Sequence, residues 1–117
     1  MLSRDVKFFS RREHPYSWTS FLKTVSGTYH GIPGDKCRIL VCDTSSQGVT
    51  LYLPSAVDVG RGAMITIKDN GGAGTNNISV RVKGGSGEYI DGQQVITLDS
   101  SYTSLPLVSD GNQWLIL

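Results

Sequence analysis

The sequence predicts an all-β fold, on three observations. Apolar residues recur at every second position from Cys37 onward, the segments that do so are short, and glycine-rich turn formers separate them at close intervals. An antiparallel sandwich or barrel, or a sheet wrapped about a symmetry axis, fits that pattern. No segment after residue 36 offers a helix of useful length. At 117 residues the chain is one domain with an appendage.

Residues 1–36 are the appendage. They carry six basic and three acidic residues, net +3, whereas residues 37–117 carry five and seven, net −2. Phe8, Phe9 and Phe21 all lie in the first block, and eleven of the fourteen glycines lie in the second. The expected division is therefore a mostly irregular N-terminal arm, 1–36, and a β domain, 37–117. A short helix over residues 16–24 is conceivable, with Pro15 close to its start. The arm is too aromatic for a solvated linker. It reads as a docking segment in which Phe8, Phe9 and Trp18 are apolar anchors and Arg11 and Arg12 orienting charges. Single-strand binders also mix cations with aromatics. A net +3 on the arm and +1 on the chain favour docking on protein, so nucleic acid is not an expected partner.

The strands follow in order. Val49, Leu51 and Leu53 alternate with Thr50 and Tyr52; Ala63, Ile65 and Ile67 with Met64, Thr66 and Lys68. Ile78, Val80 and Val82 alternate with Ser79, Arg81 and Lys83, and Ile96 and Leu98 with Val95 and Thr97. Leu105–Val108 and Trp114–Leu117 complete the set. The separators are Ser45-Ser46-Gln47-Gly48, Asp69-Asn70-Gly71-Gly72 and Gly84-Gly85-Ser86-Gly87. Asp91-Gly92 and Asp110-Gly111 supply the φ > 0 residues of tight hairpins. Chain ends are usually polar and frayed. One made of Trp114, Leu115, Ile116 and Leu117 needs cover, from its own sheet and from a neighbouring subunit, so these four are the expected oligomer interface.

Reactive constellations are not apparent. His14, His30, Cys37 and Cys42 match no recurrent zinc spacing, so no metal or other cofactor is expected. Cys37 and Cys42, five apart on one expected strand, point to opposite faces and are poorly placed for a mutual disulfide. The serines form no Gly-x-Ser-x-Gly elbow. Asp91 and Asp110 each precede glycine, where a turn accounts for them better than a carboxylate pair for glycoside cleavage. The expectation is a protein with no enzymatic activity. No apolar stretch approaches the ~18 residues of a membrane span. Charges at Arg4, Asp5, Lys7, Arg11, Arg12 and Glu13 interrupt any signal-peptide core.

The phrases VTLYLPSAVDVGRGAMITIKDNGG (Val49–Gly72), NNISVRVKGG (Asn76–Gly85), YIDGQQVITL (Tyr89–Leu98) and YTSLPLVSDGNQWLIL (Tyr102–Leu117) together carry a resemblance. The run from Val49 to Leu117 resembles a module at the C-terminal ends of phage tail fibres and appendages of double-stranded DNA viruses. Residues 1–36 fall outside it. The resemblance implies a homotrimeric, β-rich domain located on a virion, as part of a fibre, an appendage or the capsid surface. With it, the reading becomes a trimer of antiparallel β-sandwich subunits, jelly-roll or tumour-necrosis-factor-like, attached to other virion proteins through the arm. The alternative is a host-receptor or carbohydrate-binding module in which Tyr52, Tyr89 or Tyr102 stack on sugar rings of a surface glycan.

Overall fold

The computed structural model describes residues 22–117. Nine strands and one helical turn follow in order: β1 (Leu22–Val25), β2 (Thr28–His30), β3 (Ile39–Cys42), β4 (Val49–Tyr52), α1 (Ala56–Val59), β5 (Met64–Asp69), β6 (Ile78–Arg81), β7 (Val95–Leu98), β8 (Ser104–Ser109) and β9 (Trp114–Ile116). The all-β expectation holds. The strands form two sheets, sheet A in the order β1-β3-β5-β8-β9 and sheet B in the order β2-β4-β6-β7.

The pairing differs from the expected antiparallel sandwich. β1–β3, β3–β5, β2–β4 and β4–β6 are parallel; only β5–β8, β6–β7 and β8–β9 are antiparallel. Both sheets are therefore mixed. From β1 to β6 the chain alternates between sheets, so each pass lays one strand on A and one on B, parallel to those of the pass before. After three passes the direction reverses, and β7 and the β8–β9 hairpin close the same end of both sheets. The period of two reports only which face a residue occupies, and it is the same in parallel and antiparallel strands. Parallel neighbours need a long crossover, and here each crossover includes a strand of the other sheet.

The pairing also crosses the boundary expected at residue 36. β1 runs beside β3 in register from Leu22↔Ile39 to Val25↔Cys42, and β2 runs beside β4 from Thr28↔Thr50 to His30↔Tyr52. Residues 22–30 thus belong to the sheets and not to an irregular arm. Where a helix over residues 16–24 was conceivable, residues 22–24 are strand. Tyr16 to Phe21 lie outside the described residues.

One apolar core draws on both sheets: Leu40, Cys42, Ile67, Leu105 and Leu107 from A, and Val49, Leu51, Ile78, Val80 and Leu98 from B. Trp114 is its largest fully buried side chain. The N-terminal edge of the core ends on polar atoms. Lys23 on β1 and Tyr29 on β2 lie in register with the core residues Leu40 and Leu51. Lys23 Nζ donates to Asp35 Oδ2 at 2.6 Å and to the Tyr29 hydroxyl at 3.2 Å. An inward charge on an edge strand discourages further pairing at that edge. That ion pair raises the Lys23 pKa and lowers that of Asp35, each chiefly through their shared hydrogen bond.

Candidate functional site

Strand β9 places the expected interface residues on two different faces. Trp114 points inward, 2% exposed, and its Nε1 donates to the Pro54 carbonyl at 3.0 Å. Ile116 packs partly buried against the same core. Leu115 and Leu117 point outward, and Leu117 is 64% exposed. Of the four residues expected at an oligomer interface, Trp114 and Ile116 therefore pack on the chain's own core, and Leu115 and Leu117 are exposed.

Both backbone edges of this strand are covered within the chain, while the outward side chains Leu115 and Leu117 are not. β9 pairs with β8 on one side. On the other, Trp114 N donates to Tyr89 O at 2.9 Å and Asp91 N donates to Trp114 O at 3.0 Å. Ile116 N donates to the Asp91 carboxylate at 3.1 Å. The segment that does this is pinched by the predicted Asp91-Gly92 turn, with φ of 46° and 80° at its centre, and Ile90 and Gln93 exchange backbone hydrogen bonds across it. Positive φ at both central residues is the type I′ requirement that Asp-Gly satisfies. Asp110-Gly111 makes the β8–β9 turn, where the Asp110 carboxylate accepts from Asn112 N and Gln113 N.

Beyond β9 two neighbouring outward rows of sheet A are mostly apolar, with Thr66 among them and Thr24, Lys68 and Ser104 in the row beyond. Leu22, Ile39, Thr66 and Pro106 lie in register across β1, β3, β5 and β8; Met64, Val108 and Leu115 lie in register across β5, β8 and β9. Leu22 is 61% and Met64 51% exposed. Contiguous exposed apolar surface of this kind marks an interaction site more often than scattered surface leucines do.

The buried carboxylates hold loops together. Asp69, at the inward end of β5 and fully buried, accepts from the Thr44 hydroxyl, from Gly71 N at 2.9 Å, Ala73 N at 3.1 Å and Tyr102 N at 2.9 Å. Three loops meet at one side chain. Burial alone pushes its pKa up, but the bonds from Thr44, Tyr102, Ala73 and Gly71 together outweigh it and hold the carboxyl below the usual range. Gly72 lets the loops approach this closely, since a Cβ there would lie 2.3 Å from the Thr44 carbonyl oxygen. Glu88, also buried, accepts from the Ser55 hydroxyl at 2.7 Å and from Ala56 N at 2.8 Å, capping α1 from 32 residues away. Both carboxylates spend their lone pairs on orphan backbone donors.

The cysteines are both free. Burial pushes the Cys42 thiol up to about 12, with the nearby Asp69 charge adding to it, and burial raises the half-buried Cys37 thiol as well. Raised thiols are poor nucleophiles. Among the described residues no group of three or more His, Cys, Asp or Glu side chains could hold a metal ion, and no helix is long and apolar enough to cross a membrane.

The three tyrosines read as sugar contacts belong to different elements. Tyr52 points outward from sheet B, stacked on His30. Tyr89 sits in the segment that clamps β9. Tyr102, with φ of 63°, lies in the β7–β8 loop over Gly71, where its carbonyl accepts from Lys68 Nζ. Phe8, Phe9, Arg11, Arg12 and Trp18 lie outside the described residues. Sequence reasoning missed Lys23, Thr44, Asp69 and Glu88. Asp69 was visible only as one of four turn formers, Asp69-Asn70-Gly71-Gly72, and nothing in the sequence distinguishes a buried aspartate there from a solvated one. No protein-family model matches the chain, and no curated protein matches it.

Proposed function

We propose that this chain is a non-enzymatic virion structural protein that assembles as a homotrimer through the outward surface of sheet A. The observation that carries the reading is the mostly apolar outward surface of sheet A, in register from Leu22 to Ile39 and from Met64 to Leu115, with exposed Leu117 beside it. Burial of apolar surface stabilises association by roughly 25 cal/mol per Å². Closed symmetric assembly is the usual way to cover such a surface without fibre growth. The two sheets then act as the layers of a sandwich, with sheet A facing the symmetry axis and sheet B facing out.

Two further observations support an assembly role. Asp69 and Glu88 serve as loop clamps, and both thiols are raised by burial, so these groups are committed to structure and not to chemistry. The virion location rests on the resemblance of Val49–Leu117 to fibre and appendage modules. In this reading the segment with Phe8, Phe9, Arg11, Arg12 and Trp18 attaches the trimer to other virion proteins. Light scattering coupled to size exclusion tests the assembly. A particle of about three times 12.7 kDa is expected, and a monomer at micromolar concentration overturns it.

A further inference from the structure

We infer that the outward surface of sheet B, at the corner formed by His30 and Tyr52, is a binding site for an acidic saccharide. The strand register builds it. Thr28, Thr50, Ser79 and Thr97 lie side by side across β2, β4, β6 and β7, and His30, Tyr52 and Arg81 form the next outward row. Strands sit ~4.8 Å apart, so the hydroxyl row extends roughly 14 Å over three spacings. None of the four hydroxyls makes a side-chain hydrogen bond among the described residues. Each can donate one hydrogen bond and accept two.

The second row supplies the other chemistry. The rings of His30 and Tyr52 stack with centroids 4.7 Å apart and planes within 2° of parallel. Beside them a groove of about 370 Å³ is lined by His30, Pro33, Tyr52, Pro54 and Lys83 among others. Arg81 continues the row and Lys83 stands at the groove, so two cations flank the rings. No carboxylate occupies an outward position on the four strands of sheet B. Ordered hydroxyls suit a polyhydroxylated ligand, the ring edges and groove suit its apolar C–H surface, and Arg81, on strands that carry no carboxylate, selects a carboxylate or sulfate on it. Lys83 adds its charge from a loop, where it lines a pocket with Asp58 and Glu88. A nucleic-acid strand would want a longer cationic track and several aromatic platforms. This surface has two cations and one stacked pair. The inference goes beyond the assembly reading and does not depend on it, because no outward residue of sheet A takes part.

The full chain is tested at physiological salt by titration calorimetry with three probes: a hyaluronan hexasaccharide (carboxylated), a heparin hexasaccharide (sulfated) and a neutral dextran-derived hexasaccharide. Binding to one or both acidic probes, with the neutral probe at least tenfold weaker, is expected, and the stronger acidic probe identifies the anion preferred. Y52A and R81Q should each weaken that binding at least tenfold, with unfolding temperatures near the parent's. Should Y52A fail to fold, T97E, an exposed change that adds a repelling charge, provides the same reading. The inference is overturned if neither acidic probe binds, or if the variants bind like the parent. Equal competition by a single-stranded oligonucleotide or by inorganic phosphate would also overturn it, as the site would then read charge alone.

Discussion

Sheets A and B share one core, yet their outward positions differ in balance: Leu22, Ile39, Met64, Val108 and Leu115 stand with Thr24, Thr66, Lys68 and Ser104 on A, whereas B carries Thr28, Thr50, Ser79, Arg81 and Thr97 with Tyr52 and Val95. The inward rows are alike, built from Leu, Ile and Val on both sides. Folding alone therefore does not require the difference, because either outward set is compatible with a pleated strand. What it teaches is where the chain leaves apolar surface exposed: on A at Leu22, Ile39, Met64 and Leu115. A surface selected only for solvent would resemble B on both sides.

Strand β9 contains the comparison within three residues, and the largest expected effect lies there. Trp114 fills the core and Leu115 faces out. W114A should cost on the order of 3–5 kcal/mol by opening a large cavity, and it also strands the Pro54 carbonyl without its indole donor. L115A should change subunit stability by much less. Thermal unfolding of the two variants at matched concentration checks this; equal losses would mean that Leu115 is as buried as Trp114 in the assembled protein.

Asp69 gives the next largest effect and a pH signature. D69N removes a charge-assisted acceptor from a fully buried site and should cost about 1–3 kcal/mol. Its carboxyl titrates lower in the folded protein than in the unfolded chain, whose value is ~3.9. The stabilisation is therefore complete above about pH 4 and is lost as pH falls through the lower, folded value. Urea midpoints measured from pH 7 down to pH 2 should fall on that acid limb in the parent, and the fall should be shallower in D69N. Identical limbs would mean that other carboxylates set the acid sensitivity.

Charge on the two outward surfaces separates their roles directly. M64E combined with L115E should convert a species of about three times 12.7 kDa into one of 12.7 kDa, with far-UV circular dichroism unchanged. T50E combined with T97E on sheet B should leave the mass as it was. If both pairs dissociate the assembly, sheet B is also an interface. If neither does, sheet A is not one.

Much of this architecture was readable from the residues, and the parts that were not have identifiable causes. Alternation at Val49–Leu53, Ile78–Lys83 and Val95–Leu98 marks the right strands and the right inward faces, because a side-chain period of two is local. The Asp91-Gly92 and Asp110-Gly111 turns are equally local, with φ > 0 at both Asp91 and Gly92 in the first and, in the second, only at Gly111 and not, as the dipeptide suggests, also at Asp110. Strand direction is not local. Whether Val49–Tyr52 runs parallel or antiparallel to Ile78–Arg81 depends on where the chain goes between them, and turn formers such as Ser45–Gly48 look the same whether they reverse a hairpin or cross between sheets. β1 and β2 were hidden for another reason: four and three residues long, with Lys23 and Tyr29 at inward positions, they carry almost no alternation. The candidate surfaces were partly legible. Leu115 and Tyr52 stood out as residue types, but the rows to which they belong join positions as far as 44 apart (Met64 and Val108) and exist only once the register is set.

The smallest expected effect on subunit stability comes from making sheet B resemble sheet A. Thr50, Ser79 and Thr97 are outward, unbonded through their side chains, and set on strands where valine is at least as well tolerated. Replacing all three by Val should change unfolding free energy by no more than about 0.5 kcal/mol per site. No core contact is touched and no hydrogen bond is broken. The consequence should appear in solution behaviour instead. Three valines side by side would join half-buried Val95 into an apolar strip on a surface that faces solvent in the parent, and strips of that kind associate. The expected outcome is an unchanged unfolding temperature together with a mass above three times 12.7 kDa, rising with concentration. A variant that keeps both the parent's unfolding temperature and its mass would show that hydroxyls on sheet B are not needed to keep that surface unassociated. The contrast between the two faces would then lose its bearing on assembly, and the row of hydroxyls would be left with ligand contact as its use.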